Sequence, residues 1–475
     1  MIAGLKPYGD YKDSGQAWLG DVPSHWQVRR IKTVLREVDR RSSAGLEPLL
    51  SLRMQAGLVD HHALGGRPIP PSALIGYKRV LPGEIVMNRM RASAGLFAAA
   101  TSEGLVSPDY AIFRPVDQVD AAYAVQLFRT PAMMAVFRLE STGLGTGESG
   151  FLRLYSDQFG RLALPMPPDH EQASIMRFLN WASGRFDRTI RAKRKVVALL
   201  TEQLQSIAQR AVSCGIRPEV ALKPSGIQWF GEIPHHWEVR PLKAVCSIQS
   251  GVTLGKDYGS QQLREFPYLR VANVQAGFVN LSVVKAIRVP VAEASRSTLE
   301  VGDVLMTEGG DPDKLGRGCV WEGQVNPCLH QNHVFAVRPN QKRLEPRYLS
   351  AFLGTSSAKA YFQSTAKQTT NLASTNKTKI GRLQVPLPPI DEQLDILAFI
   401  EVESRPVRAA VTRLETEIKL LREYRTRLVA DVVTGQLDVR EAAMRLPAEA
   451  PPELDTEAGD EADNTELIDE EATEA

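Results

Sequence analysis

Two stretches of the chain place apolar residues on a seven-residue spacing. In the first, Ile190, Val197, Leu204 and Ala211 form one seam and Leu200, Ile207 and Cys214 its partner, interrupted at Lys193. Adding 221 gives a second pair: Val411, Ile418 and Val432 beside Leu414, Leu421 and Leu428, interrupted at Arg425. Such an a/d pattern, held for nearly four heptads, predicts two long helices. Each would span about 28 residues, roughly 42 Å at 1.5 Å per residue. The apolar stripes are too narrow for core helices of a large globule. The simplest partner for one seam is the other, in an intramolecular coiled coil. The alternative is two helices each packed on its own domain.

The two helices have matching beginnings, LPMPPDHEQASIMRFL at 164–179 and VPLPPIDEQLDILAFI at 385–400. Pro-Pro gives an extended approach and is tolerated only in a first helical turn. The acids that follow (Asp169, Glu171; Asp391, Glu392) suit the positive end of a helix dipole.

Ahead of each helix the pattern turns to short strand-like runs punctuated by Gly and Pro. LPGEIVMNRM, DYAIFRPV, FPYLRVANVQ, VGDVLMTEGG and NHVFAVRP read as strands, and AAYAVQLFRT and PRYLSAFLGTS as helices. The fold class this predicts is α+β, in two copies. PGEIVM (82–87) echoes VGDVLM (301–306), and IFRP (112–115) echoes AVRP (336–339). Each copy also opens on a repeated phrase, GDVPSHWQVRRIK at 20–32 and GEIPHHWEVRPLK at 231–243. Aligned from Lys12 and Lys223, 11 of 21 positions are identical. Long-period self-similarity of this kind means a duplicated folded unit. Start and end motifs repeat while the middles diverge, as two different readers on one scaffold would.

Charge is divided unevenly. Residues 447–475 hold 12 acids and no Lys or Arg, so the body is +14 and this segment −12. A basic body points to a polyanionic partner, most simply nucleic acid, against a merely solvated basic surface. The acidic segment has too little apolar content to fold and is expected to be disordered. Two roles stay open for it, a shield for the basic body or a solubilising appendage. No run of 18 apolar residues exists, so no membrane span is expected. No apolar signal region opens the sequence, and a cytoplasmic location is expected. Four scattered cysteines make no disulfide framework.

Basic and amide side chains gather in the Gly-rich turns. The first middle offers Lys78, Arg79, Asn88, Arg89 and Arg91; the second offers Arg270, Asn273, Lys314, Arg317, Lys367, Asn371, Asn376 and Lys377. Arg and Asn pair bidentately with guanine and adenine edges, and Lys suits phosphate. Catalytic signatures are weak by comparison. No GxxxxGK[ST] occurs, and GLGTGESG (143–150) follows no clear strand. Cys319, Cys328, His330 and His333 are spaced C-x8-C-x-H-x2-H, which fits no common zinc pattern. Glu308, Asp311 and Asp313 lack a second acidic cluster for a metal nuclease, and no segment resembles an amino-methyltransferase motif. His25, His236, Trp18, Trp26, Trp229 and Trp237 read as packing at the start of each copy.

In combination, SGIQWFGEIPHHWEVRPLK, TEGGDPDKLGRG and VPLPPIDEQ before a long helix resemble the DNA-specificity subunit of type I restriction–modification systems. The resemblance covers residues 5–440. It implies two target-recognition domains, 1–163 and 222–384, and two conserved spacer helix regions, 164–221 and 385–440. The spacers would pair as an antiparallel coiled coil with pseudo-twofold duplication, leaving 441–475 as the disordered acidic tail. It further implies double-stranded DNA with an asymmetric bipartite target as ligand, and two methyltransferase subunits and restriction/translocase subunits as partners. No catalytic site, metal or cofactor would belong to this chain, S-adenosylmethionine residing in the methyltransferases. A 42 Å spacer would span about twelve base pairs. TEGGDPDKLGRG has no clear counterpart in the first middle, which reads MNRMRASAG, so roles are not transferable between the copies.

Overall fold

The Pro-Pro motifs are where the long helices begin. In this computed structural model, which describes residues 5–65, 68–144, 151–227, 229–310, 315–368 and 373–447, the first long helix runs Asp169–Cys214 and the second Ile390–Val433. They have 46 and 44 residues, not the 28 expected from the heptads. The heptad signal registers only the narrow seven-spaced seam of each helix. Before it, the first helix turns Ile175, Phe178, Leu179 and Ala182 into the core of an α+β body. That is a broader i, i+3, i+4, i+7 face that a seven-residue repeat does not detect. Pro406 sits within the second helix, at an exposed position.

The chain divides into two compact units, 1–192 with 417–475, and 193–416. The division falls inside both long helices. Each unit therefore holds the beginning of one helix and the end of the other.

In the first unit the strand Gln27–Arg30 pairs antiparallel with Ala163–Met166, Val28 opposite Pro165. The repeated opening phrase and the repeated Pro-Pro motif are thus neighbouring strands of one frame, and the middle is the excursion between them. That excursion carries a four-stranded antiparallel sheet in the order Leu35–Val38, Ala111–Pro115, Ile85–Met87, Phe97–Ala99. Alternate side chains go to opposite faces. Ile85, Met87, Phe97 and Phe113 join Phe128, Phe137 and Phe159 on one side. Val86, Ala98 and Ile112 join Leu50, Leu52 and Val80 on the other. A sheet buried on both faces explains the unbroken apolar run IVM. The helices Ala121–Phe128 and Pro131–Glu140 follow, capped by the side chains of Asp120 and Thr130.

Three contacts bind the long helices into this unit. Glu171, fully buried in the first turn of the first helix, accepts a hydrogen bond from the Tyr8 hydroxyl and lies 2.8 Å from His25 Nε2. Gln172 donates to the carbonyls of Pro167 and Gln118 and accepts from the Asp120 amide, all at 2.8–2.9 Å. The end of the second helix arrives opposite: Tyr123 Oη donates to the Val433 carbonyl at 2.9 Å, and Gly435 seats against Pro23 and Trp26. The helices run antiparallel here, since Phe178 and Ala182 share a core with Val432 and Leu428 while Asp187 pairs with Arg425 at 2.5 Å. Arg425, the break in the heptad, is therefore answered by a carboxylate.

The second unit repeats the scheme. Glu238–Pro241 pairs with Gln384–Leu387, and the sheet order is Cys246–Ser250, Val334–Pro339, Val304–Thr307, Gly318–Val320. His236 Nε2 lies 2.7 Å from Glu392, Gln393 bonds the carbonyls of Pro388 and Arg343, and Tyr348 Oη donates to the Val212 carbonyl at 3.3 Å. Ala211 and Val212 share a core with Ile396 and Ile400, again antiparallel. Trp26 and Trp237 are fully buried, whereas Trp18 and Trp229 are half-buried beside the same cores. The histidines are not simple packing around tryptophan, as the sequence had suggested. Each carries a ring nitrogen to the buried glutamate of a helix start.

Along the seam, Ile190, Ile418 and Leu428 are buried, and Val197, Leu200, Leu204, Ile207, Val411, Leu414 and Leu421 are half-buried. The tail does not begin at 441. Arg440–Met444 form a short helix whose Ala443, with Val439 one turn before it, is buried in the first unit's core. Residues 448–475 lie outside the described residues.

Both helix-terminal glycines have positive φ, +80° at Gly435 and +75° at Gly215. A Cβ on Gly435 would come 2.5 Å from Pro23 Cδ, while one on Gly215 would meet only ordinary contacts at 3.4 Å. Left-handed backbone costs an L-residue about 1–2 kcal/mol, and overpacking adds about 1–3 kcal/mol. Gly215→Ala should therefore cost only the former and Gly435→Ala both, measured as loss of unfolding free energy in urea.

Candidate nucleic-acid interface

Each four-stranded sheet delivers its third strand to a turn, and beside that turn lies a second hairpin. In the first unit the strand Ile85–Met87 leads to Asn88–Arg91, and the hairpin is Thr142–Leu144 with Phe151–Arg153. The Leu154 amide donates to the Arg89 carbonyl at 2.9 Å, joining the two. In the second unit Val304–Thr307 leads to Glu308, and the hairpin is Lys367–Gln368 with Ala373–Ser374. Gly309 pairs with Ser374, and the Thr375 amide donates to the Glu308 carbonyl at 2.7 Å. Segments far apart in sequence, 88–91 with 151–154 and 308–310 with 373–375, thus meet in each unit. The two turns that lacked an evident counterpart in sequence occupy the same place in the strand order.

The structure sorts the candidate residues by what their side chains already do. Lys78 is buried, with Nζ 2.8 Å from the Tyr110 carbonyl and 3.8 Å from Asp39. Burial, with Arg89 nearby, holds its ammonium below the ordinary lysine pKa. Asn88 accepts from the amides of Met90 and Arg91 and shapes its own turn. Asn273 is buried and bonds the carbonyls of Asn280 and Val283. Asn376 caps the helix Lys377–Arg382 through the Lys379 amide at 3.0 Å, although the residue is exposed. These four side chains are engaged in the fold.

The others face outward to different degrees. Arg79 is exposed and paired with Glu103, and Arg89 bonds Glu37 at 2.7 Å and Ser156. Arg270 and Arg317 are half-buried, while Arg91, Lys367 and Lys377 are exposed. Lys314 and Asn371 lie outside the described residues. Sequence reasoning passed over Arg153, which sits on the first hairpin with its guanidinium 5.5 Å from the Tyr155 ring centroid and 3.3 Å from Asp109. Its only sequence signal was a lone Arg beside Tyr, too common to notice. The cationic surface is laced with carboxylates, an arrangement that polyanion binding would have to reorganise pair by pair.

The cysteine–histidine group is dispersed into the fold. Cys319 and Cys328 pack with Trp321 in an apolar cluster, and burial pushes both thiols up to about 12. His330 is fully buried with Nδ1 2.6 Å from the Val334 carbonyl, while the exposed His333 pairs with Glu308. Burial lowers the His330 pKa.

These features define a class: a protein with two α+β units built on the same sheet order, each joined to a paired long helix and each presenting its own composite loop surface. Residues 234–419 match the type I restriction modification DNA specificity domain. The chain is 22% identical over 470 residues to the EcoKI specificity subunit of Escherichia coli K12, covering 90% of this chain and 96% of that one. It is 29% identical over 173 residues to a putative MjaX specificity subunit of Methanocaldococcus jannaschii, covering 36% of this chain and 40% of that relative. A solved chain from a study of complex assembly and conformational transition of the type I R-M system superposes with TM-score 0.60 at 15% identity, covering 87% of this chain and 98% of that one. Over most of its length the chain is thus similar to specificity subunits of type I restriction enzymes, and residues 234–419 carry the match to the DNA specificity domain.

Two outcomes follow for stability. Lys78→Ala should lower the unfolding free energy by about 1–3 kcal/mol by stranding buried polar groups, whereas Arg91→Ala should stay within about 0.5 kcal/mol; urea titration distinguishes them. Because the folded His330 pKa lies below its unfolded value, the unfolded chain takes up the proton first as pH falls through about 6.5. The second unit should lose stability from pH 7 towards pH 5, and His330→Gln should remove that part of the slope.

Proposed function

We propose that this chain is the DNA-reading subunit of a type I restriction–modification complex, with one half of a bipartite, asymmetric duplex target assigned to each recognition domain. The observation that carries the reading is the repeated sheet order with unlike loops at equivalent places. One scaffold holding two different sets of side chains is what two different half-sites demand, because base readout depends on donor and acceptor placement. The recognition domains are 1–163 and 222–384, alternating with the spacer regions 164–221 and 385–440, and the whole is a pseudo-twofold duplication.

Arg91 and Arg153 in the first domain, and Arg317, Lys367 and Lys377 in the second, are the side chains we assign to the duplex. Arg79, Arg89 and Arg153 would exchange their carboxylate partners for phosphate or base edges, Arg270 would join them, and Lys314 and Asn371 are candidates from the sequence alone. Two methyltransferase subunits dock on the equivalent surfaces that duplication creates, bringing S-adenosylmethionine, and restriction/translocase subunits join through them. The complex works in the cytoplasm, on the host genome and incoming DNA.

Mapping of modified bases in host DNA tests this. Deleting the gene should erase one gapped, bipartite adenine-methylation motif. Replacing residues 1–163 with those of another specificity subunit should change one half of that motif and leave the other intact; a change in both halves, or in neither, would refute the modular assignment.

A further inference from the structure

The helices Pro346–Leu353 and Ser356–Thr365 of the second unit match Ala121–Phe128 and Pro131–Glu140 of the first in length and order, with Tyr348 standing for Tyr123 and Thr355 for Thr130. Three positions change character: Arg347 stands where the first unit has Ala122, Gly354 where it has Arg129, and Lys359 where it has Met134. In the first unit Arg129 reaches the Phe97 carbonyl and Met134 packs against Gly95. In the second unit a cavity of about 610 Å³ is lined by Arg347, Gly354 and Lys359, together with Arg317, Arg408 and Glu401. The common frame does not require these cations, because the first unit is built without them.

Arg347 pairs with Glu322 and Arg408 with Glu401, each at 3.0 Å and each pair exposed. Lys359 is half-buried, and its ammonium has no hydrogen-bond or ion-pair partner among the described residues. A partly buried charge without a counter-charge carries a desolvation cost, which an anion in the cavity would offset. A neighbouring cavity of about 280 Å³ shares Gly277, Arg347 and Ser350 and continues to Phe278, which is 60% exposed.

We propose that the two cavities together bind a nucleotide, its phosphates on Lys359, Arg347 and Arg408 and its base on Phe278. A phosphate chain carries enough charge to displace the exposed carboxylates of Glu322 and Glu401 and to give Lys359 the partner it lacks. An aromatic face stacks any base, so the chemistry defines a nucleoside di- or triphosphate without choosing the base. The larger cavity falls within the range of small-molecule sites, about 300–1,000 Å³. The assignment is independent of the duplex reading, which uses neither Lys359 nor Phe278.

The test is calorimetric titration of the full chain with ATP and with inorganic triphosphate, without added metal. ATP should saturate one site per chain. Phe278→Ser should weaken ATP about fivefold and leave triphosphate unchanged, the loss being that of one stacked base. Lys359→Met combined with Arg347→Ala introduces residue types already carried by the equivalent helices of the first unit, so the fold should tolerate them. That double variant should weaken both ligands by about tenfold or more, whereas Lys359→Arg should retain them. Arg188→Ala, at an exposed position of the first unit, should change neither. Equal binding of ATP and triphosphate by the parent and by Phe278→Ser would overturn the nucleotide assignment. No saturation by about 1 mM ATP, or binding that the double variant leaves intact, would overturn the site. Loss of short-duplex binding in the double variant, with ATP unbound by the parent, would assign the cations to nucleic-acid backbone instead.

Discussion

The constraint on which the rest depends is the way each α+β unit is closed by a helix end that comes from elsewhere in the chain. A helix C-terminus leaves unsatisfied carbonyls and needs a residue that can turn back in the left-handed region. Here Gly435 and Gly215 make that turn against Pro23–Trp26 and Pro234–Trp237, and Tyr123 and Tyr348 bond the last-turn carbonyls of Val433 and Val212. At the other helix of each unit a buried glutamate, Glu171 or Glu392, is bound to the histidine of the same opening phrase. Pro, His and Trp in P-x-H-W thus serve one joint: the proline and tryptophan receive one helix end, and the histidine holds the start of the other. A change at one end of the phrase would therefore disturb the seats of both helices.

This joint explains why the repeated motifs persist while the middles diverge. The strands Gln27–Arg30 with Ala163–Met166, and Glu238–Pro241 with Gln384–Leu387, form a frame whose chemistry is set by the helices it must hold. What projects from the far side is free of that demand. The four-stranded sheets keep their order because both faces are buried, but the turns after Met87 and Thr307 face solvent and can carry different side chains. The fold thus separates a constant frame from variable loops.

The cationic side chains illustrate where reading by residue type reaches its limit. Lys78 and Arg91 stand thirteen positions apart in one basic stretch, yet the first is buried on the Tyr110 carbonyl and the second is exposed. Asn273 and Asn376 have the amide that suits adenine, and both spend it on neighbouring backbone. Arg153 was invisible because its hairpin comes beside the Asn88–Arg91 turn only through a long-range backbone bond. Residue chemistry identified the right segments; pairing across the sheet decided which side chains remained available.

By itself the sequence determined the repeated motifs, the two long helices and the strand runs of each middle, because all of these are written in local periodicity or in repeated phrases. It underestimated the helices, since a heptad count registers only the narrow seam and misses the broad face of Ile175, Phe178, Leu179 and Ala182. It placed the start of the tail too early, because the burial of Val439 and Ala443 depends on a core built from the other end of the chain. Only the tertiary structure decided that each unit is assembled from the start of one helix and the end of the other, and that the histidines answer buried glutamates. Those relations join residues more than 100 positions apart, where the chain carries no periodic signal and the energy lies in burial and hydrogen bonding that arise only on folding.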